Sequence, residues 1–263
     1  MAEFLARVEA RTVCVGVIGL GYVGLPLAQS FGERGFRVIG FDLDEDKVQT
    51  LNRGESFIRH IPGETIRNLS HQGLFRATAM PADLMEADAI LLCVPTPLTR
   101  YREPDISAVI ASADMVARQL RSGQLVVLES TTYPGTTEEV LKPALEASGL
   151  VVGRDIFLAY SPEREDPGNH DFRTSTIPKV IGADDVKSRQ VAEALYGAIV
   201  REAVPVANTR TAEAIKITEN VFRSVNIALV NELKTIYTAM GIDVWDVIDA
   251  AKTKPFGFMP FYP

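Results

Sequence analysis

Short, almost wholly apolar runs alternate along the chain with amphipathic stretches. The runs Val13 to Ile18, Phe36 to Phe41, Phe75 to Ala79, Ala89 to Val94, Leu125 to Leu128, Ile156 to Tyr160, Lys179 to Gly182 and Ala203 to Val206 predict strands. Hydrophobicity that is continuous rather than alternating is what a strand covered on both faces requires. Between them, helical spacing with start and stop residues predicts helices from Leu25, from Glu45 to Asn52 before Gly54, and from Glu64 to His71. Further helices are expected from a cap at Asp105 to Leu120, from Thr136 to Ala147 and from Asp184 to Tyr196. Such alternation implies an α/β, Rossmann-like, doubly wound and mainly parallel sheet, expected over residues 1–207.

The pattern changes from Thr211. Residues 211–240 contain no Gly or Pro and end at Gly241, predicting one helix of roughly 45 Å. Its middle, Val221 to Val230, is apolar nearly all round, which predicts burial against a partner subunit, a homodimer through this helix. Lys216, Asn220 and Arg223 form a polar stripe along one face. That stripe is either a solvated face or, given Ile217, Val221, Phe222 and Ile227 beside it, a charged row entering an enclosed wall toward a ligand. Asp243 is expected to cap a helix to Lys252, and the aromatic tail from Lys254 to Pro263 reads equally as a substrate loop or a packed segment. Residues 208–263 are thus expected to be a helical central domain.

Composition narrows the function class. The 263 residues carry a net charge of −7, with 46% hydrophobic and 23% charged residues. This is a globular composition without the basic face of a nucleic-acid binder, so no nucleic-acid partner is expected. The stretch Val13 to Ser30 is uncharged, yet its glycines and proline fit a strand and turn, and Glu3 and Glu9 spoil a signal sequence. No membrane partner and a cytoplasmic location are therefore expected. Cys14 and Cys93 both lie in strand-like runs and read as packing residues, without a nearby cation or His to activate them.

The candidate chemistry begins at Val13 to Ala28, VCVGVIGLGYVGLPLA. A strand runs into Gly19, Gly21 and Gly24 in the spacing G-x-G-x-x-G, and a helix follows. The first glycine permits the turn, the second lets the backbone approach a pyrophosphate, and the third lets helix and strand pack closely. The helix start, with its unpaired N–H groups, suits a diphosphate. Asp42 stands at the end of the next strand, near the offset at which a carboxylate accepts both ribose hydroxyls of adenosine. It would repel a 2′-phosphate, aided by Asp44, Glu45 and Asp46, and Lys47 does not reverse that preference. The implied cofactor is NAD. The turns holding Thr96, Thr131 and Glu163 each follow a strand and can face one crevice.

Taken together, GLGYVGLPLA, FDLDEDKV, CVPTP, ESTTYPGT, SPERE and AEAIKITENVFRSVNIALVNEL resemble the UDP-glucose/GDP-mannose dehydrogenase family along the whole chain. SPEREDPGN and TKPFGFMPFYP are most similar to the branch acting on UDP-N-acetylglucosamine. Arg164 and Pro167 stand where the UDP-glucose branch has a bulky apolar residue and a second Glu. The resemblance implies that Gly19, Gly21, Tyr22, Val23, Gly24, Asp42 and Lys47 hold NAD, with Thr96 and Thr131 beside the nicotinamide ribose and the reacting centre. It makes Thr131, Glu163, Lys216 and Asn220 catalytic: Glu163 helps activate water, while Lys216 and Asn220 stabilise an oxyanion and position a water. Glu163, Arg164, Lys216, Asn220 and Arg223 would meet a UDP-sugar, Arg223 across a dimer.

The implied reaction oxidises a sugar C6 alcohol to a carboxylate with two NAD, through a cysteine thioester, for surface polysaccharide precursors. No metal is implied. The family's cysteine lies in a GPGxGGHC-like motif, and this chain ends at Pro263 before one. The expectation is a truncated polypeptide, lacking also the UDP-binding C-terminal domain, that binds NAD without completing the oxidation. Three alternatives stay open: oxidation of UDP-glucose or UDP-N-acetylmannosamine, a two-electron hydroxyacid dehydrogenase of the 6-phosphogluconate type, or a non-catalytic NAD-binding dimerising fragment.

Overall fold

The computed structural model describes residues 1–164 and 176–263. The end of the expected turn after Tyr160, from Glu165 to Gly168, lies outside the described residues. Eight strands form one sheet in the order β3-β2-β1-β4-β5-β6-β7-β8. They are β1 (Cys14–Ile18), β2 (Arg37–Phe41), β3 (Phe75–Thr78), β4 (Ala89–Leu92), β5 (Leu125–Leu128), β6 (Phe157–Tyr160), β7 (Lys179–Gly182) and β8 (Ala203–Val206). Every neighbouring pair is parallel except β6 and β7, which run antiparallel. The doubly wound, mainly parallel sheet expected from the apolar runs is present.

The chain winds outward from β1 to β2 and β3, then returns to place β4 on the other side of β1, with Val15 opposite Ala89. This reversal opens a crevice above the carboxyl ends of β1 and β4, where such sheets bind ligands. Nine α-helices occur among the described residues: α1 (Ala2–Glu9), α2 (Gly24–Glu33), α3 (Glu45–Asn52), α4 (Gly63–His71), α5 (Ser107–Ala117), α6 (Lys142–Glu146), α7 (Val186–Gly197), α8 (Thr209–Ala239) and α9 (Val244–Ala251).

Two of these elements depart from the pattern reading. α1 was hidden in a polar terminus. It is tied to the sheet because Arg7 donates both guanidinium arms to buried Asp88, at 2.8 and 2.5 Å. The expected helix from Thr136 to Ala147 starts instead with a wide π-type turn, Thr137–Leu141, before α6. Pro143 at the start of α6 lacks the N–H that a regular helix there would use. A 3₁₀ turn, Pro81–Glu86, also went unforeseen.

Under α2 the core stacks Phe31 edge-on against Phe36 at 5.6 Å, both fully buried. Burying each such ring stabilises the fold by about 1.5–3 kcal/mol. The chain divides into two compact units, Met1–Ala214 and Ile215–Pro263. The first turns of α8 belong with the first unit for a chemical reason. Buried Glu213 accepts from the N–H groups of Gly135 (2.5 Å) and Thr137 (2.9 Å), and Thr209 donates through its hydroxyl to Asp184 at 2.9 Å.

In the second unit, Val230, Val244 and Ile248 form a small core with Tyr237 and Phe261 against it. The middle of α8, expected to be buried against a partner subunit, is largely exposed in the single chain. Val221 is 54% exposed, Phe222 49% and Val225 60%. Among the described residues no helix is long and apolar enough to cross a membrane.

Candidate functional site

The turn after β1 is fixed by sterics. Gly19 adopts φ +90°, and a Cβ there would lie 2.6 Å from the carbonyl oxygen of Cys93. A Cβ on Gly24 would lie 1.8 Å from the carbonyl oxygen of Gly19, so only glycine lets α2 start this close to β1. Gly21 is different: nothing stands within 4 Å of where its Cβ would be. Its side is open toward a cavity of about 640 Å³ at the switch point, which Gly19, Gly21, Tyr22, Val23, Asp42 and Lys47 line.

Asp42 closes the far side at the tip of β2. Its Oδ2 accepts from the Leu20 N–H at 2.9 Å and its Oδ1 from the Asp44 N–H at 3.0 Å. Two backbone donors therefore fix the carboxylate while lone pairs remain on both oxygens. The Lys47 ammonium lies 3.8 Å from Asp42 and 3.8 Å from Asp44, so this cation is already shared between two acids. A 2′-phosphate would meet a net negative rim.

The opposite wall was missed by the sequence reading. Ala108, Ala111, Ser112 and Met115 of α5 face the cavity. Three of the four are small and all stand at helical spacing, which leaves room for a flat ligand, but the same spacing fits ordinary packing. These residues fit a dinucleotide: an open glycine, an anchored carboxylate, a helix start and a slot between them.

Thr96 and Thr131 do not line this cavity; they meet beyond it. The Thr96 hydroxyl donates to the Thr131 carbonyl at 2.7 Å, and Ser130 donates to the Val94 carbonyl at 2.7 Å. The tips of β4 and β5 are thus pinned side by side. Glu163 follows the next strand, β6. Its Oε1 accepts from the Arg164 N–H at 2.7 Å, and its Oε2 lies 3.4 Å from the Lys179 ammonium. Arg164 turns its guanidinium to the Pro178 carbonyl at 2.8 Å.

Lys179 and Glu129 also escaped the sequence reading, because each looked like the edge of an apolar run. Both are buried, 2.6 Å apart, and the Tyr196 hydroxyl donates to the second oxygen of Glu129. Burial alone would pull the Lys179 ammonium down, but the carboxylates of Glu129 and Glu163 overcome it and the group lies above its ordinary value. Burial pushes the Glu129 carboxyl up, against the opposing pull of Lys179.

The cysteines need one correction. Each does have a cation nearby, Arg37 for Cys14 and Lys179 for Cys93, contrary to the sequence expectation. Burial nevertheless dominates and raises both thiols. Neither is poised as a thiolate. In the second unit, Lys216 and Asn220 are half-buried on α8, and Arg223, which is exposed, donates to Asn220 at 2.9 Å. Among the described residues no group of His, Cys, Asp and Glu could hold a metal ion.

Comparison with known proteins matches residues 13–200 to the profile of the UDP-glucose/GDP-mannose dehydrogenase family, NAD binding domain, and residues 210–263 to its central domain. The chain is 38% identical over 251 residues to a UDP-N-acetyl-D-glucosamine 6-dehydrogenase of Pseudomonas aeruginosa, covering 95% of this chain and 58% of that protein. It is 39% identical over 251 residues to a UDP-N-acetyl-D-mannosamine dehydrogenase of Salmonella typhi, covering 92% and 59%. A solved UDP-D-ManNAc dehydrogenase from Pyrococcus horikoshii superposes with a TM-score of 0.87 at 34% identity, covering 93% of this chain and 59% of that one. The chain thus spans under three fifths of the length of these relatives.

Proposed function

This chain belongs to the UDP-glucose/GDP-mannose dehydrogenase family, and from that premise we propose that it serves the NAD-dependent oxidation of a UDP-sugar C6 alcohol to the uronate. The sugar is UDP-N-acetylglucosamine, the product a precursor of surface polysaccharide, and the setting the cytoplasm. The observation that carries this reading is the 2.7 Å bond between Thr96 and Thr131. It gathers the tips of β4 and β5 just past the dinucleotide slot, with Glu163 on the next turn.

In this reading the glycine turn, Tyr22 and Val23 hold the diphosphate half of NAD, Asp42 takes the adenosine ribose, and Lys47 balances Asp42. When bound, NAD supplies the hydride acceptor. Thr131 and Thr96 border the reacting centre, and Glu163 orients and activates the water that ends the sequence. Lys216 and Asn220 stabilise developing negative charge, and Arg164 and Arg223 contact the substrate. Residues 1–207 act as the NAD-binding domain and 208–263 as the central helical domain. The exposed apolar face of α8 packs on a second copy to give a homodimer.

Cys14 and Cys93 are both buried with raised thiols. The 263 residues alone are therefore expected to bind NAD and release no NADH with a UDP-sugar. The same chain extended with the unmatched remainder of a matched relative is expected to release NADH from UDP-N-acetylglucosamine in preference to UDP-N-acetylmannosamine and UDP-glucose. Preference for UDP-N-acetylmannosamine would reassign the sugar. Oxidation of a hydroxyacid, with every UDP-sugar inert, would overturn the reading.

A further inference from the structure

The buried cation of β7 has no assigned task in the reaction proposed above, yet its surroundings connect it to one. The Lys179 ammonium has three donors, and the structure gives each an acceptor: Glu129 Oε2 at 2.6 Å, the Pro162 carbonyl at 3.3 Å and Glu163 Oε2 at 3.4 Å. Two of those acceptors belong to the turn that carries Glu163, and the third opens the turn that carries Thr131. On its remaining side the ammonium sits 5.3 Å from the centre of the Tyr196 ring.

We propose that Lys179 is a positioning residue: clamped by Glu129 and Tyr196, it holds the Glu163 carboxylate in place on the turn after β6. This rests on the reading of Glu163 as the water-activating carboxylate.

The arrangement is asymmetric in a way that favours this role. Glu129 is fully enclosed and takes two donors, Lys179 and the Tyr196 hydroxyl, which leaves it little capacity for outside chemistry. Glu163 is half-buried, keeps an oxygen on the backbone N–H of Arg164, and meets Lys179 only at the longer distance. A cation at that range lowers the cost of ionising a partly buried carboxylate. Among the described residues, the titratable groups beside Lys179 include Glu129, Glu163, Cys93 and Tyr196. Removing Lys179 takes away a positive charge 3.4 Å from Glu163 and leaves the carboxylate of Glu129 in place.

The test is a titration of ¹³C-labelled glutamate carboxyls in the 263-residue chain, with the Glu163 signal assigned by its loss in Glu163→Gln. In Lys179→Met the midpoint of Glu163 should rise by about one pH unit or more, while Lys179→Arg should leave it within about half a unit. Lys179→Met strands the Glu129 charge and can unfold the chain, so Glu129→Gln/Lys179→Met is measured as well, and its Glu163 midpoint should also lie above that of Glu129→Gln alone. A Glu163 midpoint that is unmoved in a folded Lys179 variant overturns the proposal. In the extended, active chain the acid limb of the kcat/KM profile should move upward with the same variants while NAD affinity holds. If the extended chain with wild-type Lys179 oxidises no UDP-sugar, the functional reading fails, and the carboxyl titration still decides the role of Lys179.

Discussion

The backbone N–H of Leu20 donates to Oδ2 of Asp42 over 2.9 Å, joining the glycine turn after β1 to the carboxylate at the tip of β2. The two halves of the dinucleotide fingerprint, 22 residues apart, are therefore one hydrogen-bonded unit. The bond costs Asp42 only one lone pair and orients the rest of the carboxylate over the slot.

That orientation predicts cofactor choice. Asp42→Ala removes the charge that repels a 2′-phosphate and frees Lys47 from one of its two acids. The ratio of NADP to NAD affinity should rise by about tenfold or more, since one lost charge repulsion of about 1.4 kcal/mol is a factor of ten. Fluorescence or calorimetric titration of both nucleotides measures the ratio.

Gly21 and Gly24 should behave oppositely. A side chain at Gly21 has free space in the fold and intrudes only on the ligand, so Gly21→Val should leave Tm nearly unchanged and weaken NAD by about tenfold or more. Gly24→Ala must push α2 off β1 and should destabilise the chain by about 2 kcal/mol. Thermal melts with and without NAD separate the two effects.

The sheet, its doubly wound class and most helices were legible because buried parallel strands leave continuous apolar runs. α3, β5, β7 and β8 keep the bounds their patterns suggested. Asp42 was legible for a local reason: its place depends on the strand before it. Lys179 and Glu129 were not, because their meaning lies in a partner 50 positions away and across three strands of the sheet, β5, β6 and β7. For Val221, Phe222 and Val225, exposed in the single chain, apolar periodicity states that a face wants cover and not what supplies it.

Asp88 carries a pH signature of folding. Burial opposes its charge, but Arg7, the Cys14 N–H and Arg121 outweigh that and hold its carboxyl below the ordinary value. A depressed acid stabilises the fold above the unfolded value near pH 4, and the contribution is lost as pH falls through the lower folded value. Asp88→Asn should therefore cost about 3 kcal/mol near neutrality. Its urea midpoint should also vary less with acid than that of wild type.

The Thr96 hydroxyl should matter through Thr131. Thr96→Val removes the 2.7 Å donor and leaves the Thr131 carbonyl without it. A loss of about 1 kcal/mol in stability is expected, with NAD affinity retained. In the extended chain kcat should fall while Thr96→Ser restores it, because Ser keeps the hydroxyl that donates to Thr131.

The most direct measurement is calorimetric titration of NAD into the 263-residue chain beside its Asp42→Ala variant. Saturable one-to-one binding by wild type, weakened by about tenfold or more in the variant, is the predicted result. No heat of binding in wild type, or equal affinity in both proteins, would contradict an adenosine ribose seated on Asp42.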